Sequence, residues 1–465
     1  MGFVLSVLYL ITNYVTPAVL FGPLAVARIE LILAILLLII SLPQLTRSFI
    51  LKTPQSLALI GLAIATSLSV LSAVRWAGGA VQAFLGFIPN AFAYFLVCLH
   101  CTSKKKLQII VLMLLFVCLF VIANGYSDLI HGVSQGSPGA TESTSLIYWG
   151  MEHPYLLAMK NETGEMIYRL RGRGLINDPN DFGQLIVCLI PLLFVFWRAK
   201  KRLWNIGIVI LPVSALLFGV FLTHSRGALL ALMAIMVVAG RRRIGTLPAL
   251  LIAVGVFAAA MALNFTGGRD ISVDAGTDRT ALWSSGLQML KSHPFFGVGM
   301  GSFIDNCGDC GHTAHNSLVV CAAELGLVGL FFWAMFLFTS VRDALVIASP
   351  AKVQDVEPNI TEEERPSRKI GKNKAIDKTD VNRLGRLLVL SLTGFLVAGW
   401  FLSRAYVMTF FLLGGMVEVI YEMALRQGMI APRLRVVRLL SYTGGFAVLL
   451  VLLMYILLLT VNLMH

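Results

Sequence analysis

The stretch KKKLQIIVLMLLFVCLFVIAN, residues 104–124, decides the fold class. Three lysines stop at Leu107, and no charge follows until after Asn124. As a helix, residues 107–124 would cover about 27 Å at 1.5 Å per residue, close to the thickness of a bilayer's hydrocarbon core. The lysines cannot follow that helix into lipid, so they mark the side on which it begins. Comparable apolar runs recur near 3–23, 27–43, 57–74, 79–100, 182–197, 204–223, 228–240, 245–263, 317–341, 386–403, 406–424 and 440–463. Asn13 and Pro17 interrupt the first, and 228–240 is short enough to tilt or to be re-entrant. A chain that is 57% hydrophobic and 13% charged, with mean hydropathy +0.82, is no soluble globular protein. The expected fold is an all-α polytopic membrane protein: one membrane domain over 1–465 with about 12–13 transmembrane helices. The first segment lacks a basic start and a small-residue cleavage site, so no removable signal peptide is expected.

Lys and Arg orient the spans. The loops at 44–52, 99–106, 198–203, 240–244, 342–388 and 425–438 hold 26 of the 37 basic residues, including Lys104–Lys106 and Arg241–Arg243. That face is expected to be cytoplasmic. The net charge of +13 therefore reflects topology, with no nucleic-acid partner expected. Two long loops, 125–181 and 264–316, and the turn His224–Gly227 then face outward. Segment 342–385 is polar and mixed in charge, as in Glu362-Glu363-Glu364-Arg365, and reads as a flexible cytoplasmic linker.

Four motifs fall on the outward face. They are Arg171-Gly172-Arg173 leading to Asn177-Asp178-Pro179-Asn180-Asp181-Phe182, then His224-Ser225-Arg226-Gly227, Asp278-Arg279 and His315-Asn316-Ser317. Arginine stays charged and grips phosphate with a planar fork of donors, while histidine can take a proton near neutral pH. Arginines and a histidine at one membrane surface point to a lipid-linked anionic substrate. Arg226 sits in a turn where Gly227 permits close backbone approach; the bland alternative is a snorkelling interface arginine. Asp178 or Asn180 could cap the next helix, a role compatible with function. Arg169 and Arg171 compete with Arg173 as the loop's cation.

From Asp278 to Ser292, Leu282, Trp283, Gly286, Leu287 and Leu290 recur at helical spacing, with Asp278, Arg279 and Lys291 off that face. Such a helix can lie along the outer interface and carry Arg279 over the membrane. His315 alone could be an ordinary surface residue. Glu324 strengthens the case, because a carboxylate inside a span is costly and has a partner, either an arginine or the site's own framework. Cys307, Cys310, His312 and His315 spell C-x2-C-x-H-x2-H, but these four fall within nine residues, closer than structural zinc pairs lie. A disulfide between Cys307 and Cys310, free thiols and a metal site all stay open, with the disulfide favoured on an oxidising face.

The order Gly-Arg-Gly…Asn-Asp-Pro-Asn-Asp-Phe, Ser-Arg-Gly-Ala, Asp-Arg…Leu-Trp…His-Pro-Phe-Phe-Gly-Val-Gly…Phe, and His-Asn-Ser…Glu-Leu-Gly resembles the O-antigen ligase family over roughly residues 165–340. Gly326 and Gly329 keep the family's spacing after His315-Asn316. The resemblance implies a GT-C-type glycosyltransferase of the bacterial inner membrane that uses neither metal nor other cofactor. It implies glycan transfer from undecaprenyl diphosphate to an acceptor, lipid A-core or another glycan, on the periplasmic side. Arg226 and Arg279 would bind the carrier diphosphate and His315 would activate the acceptor hydroxyl. Arg173 would be a third cation, with Arg171, Asn180, Asp181, Asp278 and Glu324 as further substrate-site candidates. Membrane lipids are the other expected partners. The Cys307/Cys310 pair and the long 342–385 loop depart from the family pattern.

The chemistry is consistent on its own terms. A diphosphate leaving group needs its developing charge stabilised, often by Mg²⁺ on carboxylates. No outward loop carries a DxD pair, so arginines are the natural substitute. A histidine base can take the proton of an attacking sugar hydroxyl, and one direct displacement would invert the anomeric carbon. O-antigen polymerases and protein O-oligosaccharyltransferases share much of this pattern and remain alternatives. An anion transporter is the alternative from another class, but it should place charges near the bilayer midplane in broken helices. Here the cations gather at one surface.

Overall fold

The computed structural model describes residues 1–17, 28–47, 49–134, 153–160, 164–267, 274–308, 310–348 and 377–464. The helices in chain order are α1 (Gly2–Val15), α2 (Ile29–Arg47), α3 (Pro54–Val74), α4 (Ala77–His100), α5 (Lys104–Ser134), α6 (Pro179–Leu193) and α7 (Leu211–Thr223). They continue with α8 (Arg226–Ile244), α9 (Thr246–Ala262), α10 (Asp274–Ser292), α11 (Ser317–Ala348), α12 (Lys378–Gly399), α13 (Met408–Arg426) and α14 (Val436–Met464). The protein is an all-α polytopic membrane protein. A helix lies at each of the thirteen apolar segments, but among the described residues nine are long and apolar enough to cross a bilayer. Gly2–Val15, Ile29–Leu45 and Thr246–Ala262 are apolar but shorter, and α8 carries Arg226 at its start and Arg241–Arg243 in its last turn. The first helix stops where Thr16 takes a left-handed φ of 50°, just before the Pro17 that interrupts its segment. Residues 342–348 prove to be the last turns of α11 and residues 378–385 the first of α12, so the expected 342–385 linker narrows to a centre outside the described residues.

One departure from all-helical structure lies in the 125–181 loop. Leu156–Lys160 (β1) and Met166–Leu170 (β2) pair antiparallel, with Leu156 opposite Leu170. Ile167 and Leu170 are buried, so the hairpin packs over the bundle and delivers Arg169, Arg171 and Arg173 to it.

Helix α11 is the axis of the bundle, packing against α3, α10, α12, α13 and α14. Its Phe336 meets Phe410 edge-on at 4.9 Å, and Phe395 of α12 stacks on Phe410 at 4.8 Å. The outer helices reverse the usual burial rule. Leu247, Leu250 and Leu251 of α9 and Leu449 and Leu452 of α14 are exposed, as lipid-facing side chains are when the solvent is itself apolar.

Helix α11 breaks at Gly326, whose φ of 62° is open to glycine at little cost. Backbone groups freed inside a membrane bundle must find partners within the protein. The loop His293–Gly299 supplies them. Val298 and Gly299 N–H donate to the carbonyls of Ala323 (2.9 Å) and Glu324 (3.1 Å), while Leu327 and Val328 N–H donate to Pro294 (2.8 Å) and Phe295 (3.1 Å). A Cβ on Gly297 would stand 2.4 Å from the Glu324 carbonyl, so the His-Pro-Phe-Phe-Gly-Val-Gly stretch needs glycine there to splice the broken helix.

Candidate functional site

The motifs occupy helix starts and the turns before them. Asp178 caps α6, its carboxylate accepting the Asn180 N–H at 2.7 Å with Pro179 in the first turn. Ser225 caps α8 by accepting the Ala228 N–H at 3.4 Å, which makes Arg226 the first helical residue. Asn316 Oδ1 accepts the N–H groups of Leu318 (2.9 Å) and Val319 (3.2 Å) at the start of α11. The two motif histidines precede these starts in left-handed backbone, His224 at φ 49° and His315 at φ 48°. Histidine is among the few residues enriched in that region, and its occurrence twice beside one site fits a functional constraint. His224 Nδ1 donates to the Phe265 carbonyl at 2.6 Å, tying its turn to the loop after α9.

These starts meet. Arg226 lies within electrostatic reach of Arg279, Arg279 of His315, His315 of Asp178, Asp178 of Arg171, and Arg171 of Arg173. Burial, then the neighbouring Arg226, pull the Arg279 guanidinium below its ordinary value. Burial, then Arg173, do the same to Arg171, against the pull of Asp178. Arg171 Nε is buried with no hydrogen-bond partner among the described residues. Cations packed beside cations and away from water are poised for an anion. His315 is also lowered, by burial first, then by Arg279 and His312, with Asp178 opposing, which keeps its imidazole neutral near pH 7, with a ring nitrogen free of its acid proton.

Helix α10 is docked on the bundle rather than lying free along the interface. Leu282, Trp283, Met289 and Leu290 are buried, and Gly286 sits so close to Val319 that a Cβ would be 2.4 Å from it. Trp283 Nε1 donates to the Ala314 carbonyl at 2.8 Å, linking the helix to the residue before His315. Arg279 projects from the half-buried edge, its guanidinium 5.9 Å from the Phe401 ring centre. Side-chain placement of Asp278 lies outside the described residues.

Other candidates take different parts. Arg169 is buried and spends its donors on structure, with Nε to the Thr223 carbonyl at 3.0 Å and Nη2 to Asn180 Oδ1 at 2.9 Å. Asn180 thereby holds Arg169. The Arg173 guanidinium lies 5.6 Å from the Tyr155 ring centre. Glu324 is buried, with no arginine among its charged neighbours in the described residues; its carboxylate accepts the N–H groups of Gly301 and Phe303, holding the turn that follows the splicing loop. Asp181 pairs with Arg404 at 2.7 Å.

Arg404 and its neighbour Ser403 were missed from sequence. Ser403 Oγ accepts the His315 N–H at 2.7 Å and the Thr313 hydroxyl at 2.6 Å, so the link between α12 and α13 sets the position of His315. Ser317 Oγ fastens the same link, donating to the Leu402 carbonyl at 2.7 Å and accepting the Arg404 N–H at 3.2 Å. A signal existed: Arg404 is a basic residue in a short link on the face otherwise poor in them. Cys307 and Cys310 are joined as a disulfide with Cα atoms 5.6 Å apart, which removes both sulfurs from the possible zinc set.

Comparison with curated proteins finds no match for the chain. The family model described as O-Antigen ligase matches residues 211–334, the stretch from α7 through the first half of α11 that carries Arg226, Arg279 and His315. The match supports glycan transfer of the O-antigen ligase or polymerase type by a multi-pass membrane protein. Residues 211–334 are thus similar to the O-antigen ligase family, and Arg226, Arg279 and His315 all lie within the matched stretch.

Proposed function

We propose that this protein transfers a glycan from undecaprenyl diphosphate to the hydroxyl of an acceptor sugar, lipid A-core in the first instance. The site end would face the periplasm from the bacterial inner membrane, an orientation supported by the basic residues concentrated in the loops of the other end. The observation that carries the reading is the run Arg226–Arg279–His315, two cations and a neutral imidazole in which Arg279 is within electrostatic reach of both of the others.

Arg226 and Arg279 bind the diphosphate, with Arg171 and Arg173 as supporting cations. The acceptor oxygen attacks the anomeric carbon as the bond from that carbon to the phosphate oxygen breaks. His315 takes the hydroxyl proton during the attack. The electron pair leaves on undecaprenyl diphosphate, where the arginines stabilise the charge that develops. A single displacement inverts the anomeric configuration. The left-handed backbone of His315, fixed by Ser403 on one side and the Asn316 cap on the other, presents the imidazole to this reaction.

Transfer in proteoliposomes, using a defined undecaprenyl-diphosphate-linked glycan and purified acceptor, tests the reading, with carrier binding measured separately. Formation of acceptor-linked glycan with inverted configuration is expected. Carrier binding without transfer to any sugar hydroxyl would overturn it.

A further inference from the structure

A cavity of about 170 Å³ lies beside the cation cluster, between the end of α1, the middle of α4, the turn after Arg173, the first turns of α6 and the start of α13. Polar groups line it: Asn90, Asp181, Gln184, Arg404, and a hydroxyl pair in which Tyr14 and Thr409 stand 3.0 Å apart. Such groups are expensive inside a membrane bundle, and where they occur they mark a binding path or a site. The fold leaves one of them unused: Asn90 Oδ1 is buried without a hydrogen-bond partner among the described residues, while the Asp181–Arg404 ion pair lines the same cavity. Volume limits the occupant, since a cavity of about 150 Å³ accommodates one benzene-sized ring. There is room for one six-membered ring and its substituents, but not for two.

We infer that this cavity is a subsite for a single neutral sugar ring, adjoining the reacting centre. A hexopyranose carries hydroxyls around its rim, each both donor and acceptor. The lining answers with both kinds of group: the Asp181 carboxylate and Asn90 carbonyl oxygen accept, the Arg404 guanidinium donates, and the Tyr14–Thr409 hydroxyls do either. A diphosphate is a poor fit here, because Asp181 already stands against Arg404 and would repel it. Continuity with the reaction comes through two pairs of near neighbours in sequence. Arg404 follows Ser403, which holds the His315 N–H, and Asp181 lies one turn after Asp178, which is within electrostatic reach of His315. The inference rests on the glycan-transfer reading above and adds where the sugar sits. The ring is either the first sugar of the donor or the terminal sugar of the acceptor.

The test uses the full-length protein in nanodiscs and three probes: undecaprenyl diphosphate without sugar, undecaprenyl diphosphate carrying one hexose, and purified lipid A-core. Asn90→Leu fills the cavity and removes its orphan acceptor; Thr409→Val keeps shape but removes a hydroxyl. Each variant is first checked for wild-type thermal unfolding, and Thr409→Val carries the test if Asn90→Leu fails to fold. Both should leave binding of the sugar-free carrier unchanged. If the ring belongs to the donor, affinity for the hexose-bearing carrier should fall by roughly tenfold to a hundredfold, the scale for losing one or two buried hydrogen bonds. If it belongs to the acceptor, lipid A-core affinity should fall instead. Folded variants that bind both sugar-bearing probes as wild type does would reduce the cavity to a water site and overturn the inference. Wild-type protein that fails to bind the sugar-free carrier would instead sink the donor assignment itself, so the two failures are separable.

Discussion

Arginines at the two ends of α11 live in opposite surroundings. Away from the site, Arg433 has its Nε 2.9 Å from Asp343 Oδ2 and its Nη2 2.5 Å from Glu418 Oε2, with its guanidinium 4.2 Å from the Tyr421 ring centre. Asp343 also takes a hydrogen bond from Gln55 Nε2 at 2.9 Å and pairs with Arg342 at 3.0 Å. Burial works against the Arg433 charge, but Glu418 and Asp343 outweigh it and raise the group above its ordinary value. At the site end, roughly 40 Å away by the rise of α11, burial and a second arginine lower both Arg279 and Arg171. The fold closes the first arrangement with its own carboxylates, whereas the second sets cation beside cation, which on the proposed reading suits it to an anionic substrate. An arginine's company, more than its burial, separates a clamp from a binding site.

The largest effect should come from breaking the clamp. Arg433→Ala strands the buried Glu418 carboxylate and takes one cation from Asp343, and should cost about 3–5 kcal/mol of stability, the scale for removing one partner of a buried pair. Thermal unfolding of the purified protein would show it, with transfer per folded molecule little changed. Arg279→Ala should do the reverse. Transfer should fall by about 10²–10³ while the unfolding temperature holds, and Arg279→Lys should restore only part, since lysine lacks the bidentate fork. An Arg279→Ala protein as unstable as Arg433→Ala would erase the distinction between the two ends.

His315→Ala should reduce transfer by roughly a hundredfold or more with carrier binding intact. Transfer by His315→Ala at the wild-type rate would make the histidine a helix-start residue only. The pH profile sharpens the point. On the proposed reading the working form is the neutral imidazole, and burial and Arg279 hold its pKa below the ordinary value of about 6.5. Transfer should therefore stay level through pH 7 and fall only at more acidic values. Removing the positive neighbour raises the imidazole pKa, so the residual activity of Arg279→Ala should begin to fall at a higher pH than wild type. An acid limb that does not move would break the electrostatic link between the two residues. The smallest effect is expected from Cys307→Ser with Cys310→Ser. A bridge spanning three residues in sequence closes a very short loop, so its loss should cost at most about 2 kcal/mol, read from thermal unfolding, with transfer retained.

Arg226, Arg279 and His315 could be picked out from sequence because a charged or titratable group at the edge of an apolar run is conspicuous. Choosing among Arg169, Arg171 and Arg173 was beyond it. Three arginines at alternate positions look alike until one of them, Arg169, is seen bonded to Thr223 and Asn180. Glu324 was legible as a carboxylate that needed a partner, but the partner is backbone, the N–H groups of Gly301 and Phe303, and no side-chain pattern predicts that.

Sequence by itself determined the membrane class, the places where helices run and the gathering of the motifs at one end of them. Those follow from hydropathy and charge, which each segment carries locally and lipid reads segment by segment. Only the tertiary structure decided which polar groups complete one another. Ser403 reaches His315 across 88 positions, Arg404 reaches Asp181 across more than 200, and the loop at 294–299 supplies the backbone partners that α11 loses at Gly326. Such pairings depend on how helices pack in three dimensions, and packing is settled by the whole bundle at once.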